Sequence, residues 1–246
     1  MNTIKVLIIL CFLPTFLFGQ NSIDENGLKQ GAWSKKWENG KTRYKGQFED
    51  DKAVGVFYYW YADGSPQSIL SYIGKAHVAY CKIYGIDGNI AATGKYIDQM
   101  KDSTWLYYDY QGRLRSKNNY NEGLMEGEQV TYSYKGKIVE IIDYYDDKKH
   151  GEWVQFYDNG AIRLKGNWNE GFPNGKIYKY RESGALKSQG QYKDSKKHGY
   201  WRLYTAGGDL EKKVYYLEGN LIEGKALKAY EANLQSRKDG SKKKHE

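Results

Sequence analysis

"DKKHGEWVQFYDNG", Asp147 to Gly160, admits two readings. Its histidine, lysines, acids and rings would suit a catalytic or metal-binding loop, and they would equally suit one copy of a structural unit. Stepping outward at a fixed interval decides between them. Gly160 is one of eight glycines spaced 24 apart: Gly40, Gly64, Gly88, Gly112, Gly136, Gly160, Gly184 and Gly208. Eight residues beyond each stands an aromatic: Phe48, Tyr72, Tyr96, Tyr120, Tyr144, Trp168, Tyr192 and Tyr216. Four residues before each lies a second aromatic column, Trp60, Tyr84, Tyr108, Tyr132, Phe156, Tyr180 and Tyr204, broken only at Lys36. A third column reads Gly31, Gly55, Ala79, Ser103, Gly127, Gly151, Gly175 and Gly199. A fixed period of this length is the mark of a repeat architecture, so the quoted stretch opens the sixth of eight units.

Each unit reads as a β-hairpin. The residue before the recurring glycine is Asn39, Asp63, Asp87, Gln111, Lys135, Asn159, Ser183 or Gly207. Asn-Gly and Asp-Gly favour a two-residue type I′ turn, whose central residues both need positive φ. The flanks are rich in Trp, Tyr, Phe, Ile and Val, which is strand composition. Polar, Gly-bearing segments such as Glu170 to Gly175 link one hairpin to the next. No helical period appears between residues 26 and 222. The expected fold is all-β: a single-layer antiparallel β-hairpin solenoid of about eight 24-residue repeats.

A two-residue turn at Asn159-Gly160 would pair Tyr157 with Ile162 and set Trp153 opposite Gly166. Alternation then puts Trp153, Tyr157, Ile162 and Trp168 on one face, the expected core. The column through Ile162 is Ile or Leu in six of eight units, and Gly46, Gly94, Gly166 and Gly190 leave room for a facing ring. The other face carries Arg43, Arg115, Arg163 and Lys187 beside the column from Trp60 to Tyr204.

The pattern Gly151-x-Trp153-x-x-Phe156-Tyr157-x-Asn159-Gly160, followed by Gly166-x-Trp168 and Gly171-x-x-x-Gly175, resembles MORN repeats in their bacterial variant form. The resemblance runs over roughly residues 26 to 224. It implies a single-layer hairpin solenoid without catalytic residues, used for protein or lipid contact; some bacterial relatives are labelled antitoxin-like. Ala79 and Ser103 depart from the leading glycine, and Asn118 and Ile142 from the middle one, so distortion is expected in the third to fifth repeats.

The ends read differently. Lys5, the apolar run Val6 to Phe18 and the small residue Gly19 describe a secretory signal peptide, 1–19, too short to span a bilayer as a helix. The array occupies 20–224. Ala226, Leu227, Tyr230 and Leu234 recur at helical spacing, so 225–236 is expected to form a short helix capping the final sheet edge. Residues 237–246 are expected to be a disordered basic tail. That tail accounts for much of the net charge of +8, since residues 225 to 246 hold seven Lys or Arg against three acids. The array itself is close to balance, which argues against nucleic acid as a partner.

The chemical constellations fare poorly against their structural explanations. His150 and His198 lie two repeats apart, roughly 19 Å at about 4.8 Å per strand, too far to share a metal. Asp50, Asp98, Glu122, Asp146, Glu170, Asp194 and Glu218 recur about 10 Å apart, beyond the spacing that paired catalytic carboxylates use; turn chemistry, with the carboxylate accepting nearby backbone N–H groups, accounts for them. Cys81 stands in the column of Trp33, Phe57, Trp105, Trp153 and Trp201, hence reads as a small core residue. With Cys11 in the leader, no intramolecular disulfide is expected.

The expected function is that of an exported, non-catalytic repeat protein of the periplasm, envelope or exterior that binds or scaffolds a protein partner, without cofactor or metal. The candidate surface is Trp60, Tyr84, Tyr108, Tyr132, Phe156, Tyr180 and Tyr204 with Arg115 and Arg163, because Tyr and Arg are enriched at interfaces. The alternatives are contact with a cell-wall glycan or a membrane surface, and an antitoxin or immunity role that masks a toxin. Choline-binding hairpin solenoids share the Gly, Trp and Tyr composition but have a shorter repeat.

Overall fold

The computed structural model describes residues 20–242, with side chains for 20–236. The signal-peptide reading falls on residues 1–19, outside the described residues. The chain forms two units, the first ending at His77 and the second beginning at Val78.

The first unit contains β1 (Ser22–Ile23), β2 (Lys29–Lys36), β3 (Thr42–Glu49), β4 (Lys52–Trp60) and β5 (Pro66–Ile73). Its strands pair antiparallel in chain order, with β2–β3 and β4–β5 as hairpins.

The second unit begins with β6 (Val78–Tyr84), β7 (Ile90–Ile97), β8 (Met100–Tyr108) and β9 (Leu114–Asn121). It continues through β10 (Leu124–Met125), β11 (Gly127–Tyr132), β12 (Ile138–Tyr145), β13 (Lys148–Phe156) and β14 (Ile162–Asn169). Then come β15 (Phe172–Pro173), β16 (Gly175–Tyr180), β17 (Leu186–Lys193), β18 (Lys196–Tyr204), β19 (Leu210–Leu217), β20 (Asn220–Ile222) and the helix α1 (Gly224–Lys242). All pairings are antiparallel, β9 pairing with both β10 and β11 and β14 with both β15 and β16, so the unit is a meander of six repeat hairpins. This is the β-hairpin solenoid class that the period of 24 predicted.

Two turn types alternate, and they occupy the opposite places from those expected. At the Asn-Gly apex, Gly160 N–H donates to Tyr157 O and Tyr157 N–H donates to Ala161 O, at 2.9 and 2.8 Å. That is a three-residue loop built on a type I turn, with Gly160 in the bulge position at φ +86°. The two-residue turns sit in the links instead. Asp50-Asp51, Asp98-Gln99, Asp146-Asp147 and Asp194-Ser195 have positive φ at both positions, as do Glu122-Gly123, Glu170-Gly171 and Glu218-Gly219. The recurring acid is therefore the first central residue of a type I′ turn, held at φ of about 50°. Asp tolerates the left-handed region because its short polar side chain bonds locally, although Glu gains less from this.

The apex bulge also corrects the expected faces. Trp153 does pair with Gly166, but Phe156, not Tyr157, pairs with Ile162, with a register shift between Gln155 and Phe156. A one-residue slip moves side chains across the sheet. The Ile/Leu column thus flanks the second aromatic column rather than the core; Ile162 is 40% exposed and Leu210 53%. Leu164 is the buried aliphatic of that hairpin.

The buried core is the column of Phe57 in the first unit, and Cys81, Trp105, Gln129, Ile177 and Trp201 in the second. The all-aromatic column, expected to be buried, is half-buried and packs edge-on against it. Tyr96 and Tyr120 flank Trp105 at 4.9 and 6.4 Å between centroids, and Tyr192 and Tyr216 flank Trp201 at 5.3 and 6.2 Å. Edge-to-face contact at these distances is the favoured arrangement of rings.

At Gly46, Gly94 and Gly190 the ring that fills the gap comes from the next hairpin along. Gly94 alone faces Ser103, Thr104 and Trp105, because Lys95 pairs with Asp102 and Thr93 with Leu106. The bulge contains a residue of the third column at positive φ, Ser103 at 57° here and Gly199 at 70° before Trp201. It swings the indole of Trp105 onto Gly94 and that of Trp201 onto Gly190. Ser103 keeps the geometry of the glycine that it replaces, whereas Ala79 does without positive φ.

The fifth repeat departs furthest. Gln129 takes the ring position and is 6% exposed. Its amide accepts from Asn119 N–H at 3.0 Å and donates to Asn119 O at 3.0 Å and Gly127 O at 3.2 Å. A buried amide whose bonds are made costs little, so a polar clamp replaces the ring.

α1 is longer than expected. It runs from Gly224 through Lys242, so 237–242, read as part of a disordered tail, is helical; Arg and Lys are good helix formers and their charge suits a helix C-terminus. Tyr230 lies 5.5 Å from Tyr215, and Tyr200 donates its hydroxyl hydrogen to Glu231. Tyr200 and Tyr215 are partners on β18 and β19, so these contacts fall on a sheet face.

Candidate functional site

Alternation from the buried column defines the opposite face. Trp105, Ile177 and Trp201 point into the core, so their neighbours Leu106, Tyr178 and Arg202 point away from it. On this second face, cross-strand pairs are polar or aromatic. Lys95 meets Asp102 at 2.9 Å, Thr104 meets Asn119 at 2.7 Å, and Lys165 meets Glu152 at 2.6 Å. The hydrogen bond from Ser103, and then Lys95, hold the Asp102 carboxyl below its ordinary value.

The candidate rings close the apex ends of their hairpins. Trp60 pairs with Pro66, Tyr84 with Ile90, Tyr108 with Leu114, Tyr132 with Ile138, Phe156 with Ile162, Tyr180 with Leu186 and Tyr204 with Leu210. All seven are half-buried, each leaving part of a ring to solvent. Their carbonyls form a ladder with the following position one repeat back. Trp37 Nε1 donates to Trp60 O, Tyr157 Oη to Tyr180 O and Arg181 Nη2 to Tyr204 O, at 3.0, 2.8 and 2.7 Å. Arg163 is exposed and donates to Gln155 Oε1 at 2.8 Å; Arg115 is half-buried on β9.

A second cluster escaped the periodic reading. Lys176, Tyr178, Gln189, Gln191, Tyr200 and Arg202, with Gly190 at the floor, line a depression of about 330 Å³. Gln189 donates to Tyr204 Oη at 2.8 Å, which ties the depression to the end of the aromatic row. Lys213 Nζ stands 3.8 Å from the centroid of Tyr200 and Arg202 Cζ 5.7 Å from it. Glu231, accepting from the Tyr200 hydroxyl, raises that phenol above its ordinary value. These positions vary between repeats, so a search for constant columns passes over them. The legible signal is an absence: between Gly175 and Tyr204 the only acids are Glu182 and Asp194, both in turns.

The residues weighed for chemistry lie apart. Cys81 is 3% exposed, and burial pushes its thiol up to about 11, which disfavours the reactive thiolate. His150, on β13, stands 3.8 Å from Glu170 and near Tyr145. Among the described residues, no group of three or more His, Cys, Asp or Glu could hold a metal ion. None of the described helices is long and apolar enough to cross a membrane.

The structure defines a β-hairpin repeat protein whose two faces differ in kind, one packed with rings around the buried column and the other carrying polar and aromatic cross-strand pairs. Two of its units, residues 149–170 and 173–194, match the MORN repeat variant family. No curated protein matches the chain. Among solved structures, it is similar at 14% identity to the crystal structure of the GtfA/B complex bound to UDP and GlcNAc. That match covers 46% of this chain and 22% of the other, with a TM-score of 0.22. It is similar at 13% identity to the TcdB2-TccC3-Cdc42 structure, covering 83% of this chain and 14% of the other, with a TM-score of 0.23. Similarity at these values says nothing about what this chain does.

Proposed function

We propose that this repeat protein is an exported, non-catalytic module that binds or scaffolds a protein partner in the periplasm, the envelope or outside the cell. The observation that carries the reading is the row of half-buried rings at the hairpin apices, continuing into the Tyr178, Tyr200 and Arg202 cluster. Tyr and Arg side chains already half-packed on paired strands lose little side-chain entropy on docking, which suits them to protein recognition. Export rests on the leader read from residues 1–19.

The test is a pull-down from an envelope extract with the chain lacking that leader, run beside the Tyr108→Ala/Tyr132→Ala double variant. Capture of a defined protein by the parent and its loss in a folded double variant supports the reading. Equal capture by both would take these two rings out of the interface and move it to the β16–β18 face, an edge or a loop. Export is checked separately by fusing residues 1–25 to a periplasmic reporter; a cytoplasmic, untrimmed product overturns it.

A further inference from the structure

The segment from β16 to β18 differs in charge from the rest of the second face. Around β8 and β13, the lysines of this face are matched by acids, as in Lys95–Asp102 and Lys165–Glu152. From β16 to β18 the strands contain no acid at all, while Lys176 and Arg202 line the depression and Lys213 stands over Tyr200. None of these three cations has an acidic partner within salt-bridge distance among the described residues. Three cations around two phenol rings and two glutamine amides make a surface that favours carboxylates and aromatic rings together.

The chain itself supplies an example of such an occupant. α1 presents Tyr230 and Glu231 to this same face, the ring against Tyr215 and the carboxylate on the Tyr200 hydroxyl. Tyr215 is thereby reduced to 7% exposure. Beside it, the depression at Tyr178 and Arg202 stays open, with the same kinds of side chain and more cation.

From this we infer that the face formed by Lys176, Tyr178, Gln189, Tyr200 and Arg202 docks an acidic, tyrosine-bearing peptide segment of a partner protein. The segment lies alongside α1 and continues its pattern of ring and carboxylate. The inference rests on the protein-binding reading above and names the chemistry of that partner. A carboxylate from the segment meets Lys176 and Arg202, its ring stacks on Tyr178, and the glutamine amides serve its backbone.

The experiment measures fluorescence anisotropy of a labelled random Glu–Tyr copolymer with the chain lacking residues 1–19, at about 0.15 M salt, where exposed charges still act over roughly 8 Å. Lys176→Gln/Arg202→Gln should weaken binding about tenfold, whereas Lys35→Gln/Lys36→Gln, an equal loss of exposed charge elsewhere, should change it by less than twofold. Lys176→Arg/Arg202→Lys should restore it. Thermal melting of each variant establishes that it is folded.

Equal weakening by both Gln pairs would reduce the effect to net charge and overturn the inference. So would tighter binding of polygalacturonate or of anionic lipid vesicles than of the copolymer, or no copolymer binding by the parent chain. If the envelope pull-down succeeds and depends on Tyr108 and Tyr132 while the copolymer fails, the protein-binding function stands and this inference alone falls.

Discussion

The indole of Trp105 lies on the bare backbone of Gly94, so close that a Cβ built on the glycine would come within 2.2 Å of the ring. The two residues belong to successive repeats, so the contact ties one hairpin to the next. The Phe57 ring over Gly46 and the Trp201 ring over Gly190 repeat the arrangement, with 2.4 and 2.3 Å to the absent Cβ. Solenoids gain stability chiefly from such neighbour interfaces, which is why one buried ring can anchor a single-layer sheet.

Gly94→Ala should therefore be severe, costing about 3 kcal/mol or somewhat more, because the ring and the backbone beneath it cannot both stay in place. At Gly166 the nearest atoms, from Trp153 and Ile177, are 3.4 and 3.5 Å from the built Cβ. Gly166→Ala should cost about 1 kcal/mol or less. Urea titration of both variants checks the contrast, and equal losses would show that the ring does not rest on the glycine.

The link turns make a second prediction. Glu122 sits at φ 49° before Gly123 at φ 91° in a type I′ turn. Glu122→Asn should stabilise by a few tenths to about 1 kcal/mol, since Asn populates the left-handed region more readily. Gly123→Ala should destabilise by about 1–2 kcal/mol through φ alone, because Met100 Cβ, the nearest atom, lies at an ordinary 3.6 Å. Melting temperatures of the two variants should move in opposite directions.

Tyr215 supplies the pH dependence. Burial, then its contact with Tyr230, pushes the phenol up to about 12. A raised folded-state value favours the protonated group, so its stabilising contribution is complete below about 10 and is lost as pH rises through 12. Denaturant unfolding at pH 8 and pH 11.5 should show a drop that is smaller in Tyr215→Phe. An unchanged drop would place the alkaline sensitivity elsewhere.

Deleting whole repeats tests the architecture. Removing Asp147 to Glu170 joins Asp146 to Gly171, which recreates an acid-Gly link of the Glu170-Gly171 kind and keeps the strands from β15 onward in register. The product should remain β-rich and unfold cooperatively, though less stable than the parent. Removing only Asp147 to Asp158 takes out one strand of the hairpin and should be much more damaging. Circular dichroism with thermal melting separates the two results.

The step of 24 identified the hairpin, its Trp153–Gly166 pairing and the core position of Cys81, because these depend on local composition and on alternation within one strand pair. Two errors came from the turns. Asn-Gly suits a type I′ loop and also a type I loop with a bulged glycine, and the sequence alone does not separate the two. The choice was made by the flanking strands, which shift at Gln155–Phe156 and turn Ile162 away from the core.

What only the tertiary structure decided involves residues brought together from different repeats. A glycine column announces space but not which ring fills it; the bulge before Trp105 and Trp201 delivers the ring from the following hairpin. Lys176, Tyr178, Gln189, Tyr200 and Arg202 meet because three strands lie side by side, although none of them belongs to a constant column. The period of the sequence records what every repeat needs in order to stack. A surface that differs from repeat to repeat leaves no periodic trace, and pairing across strands is what assembles it.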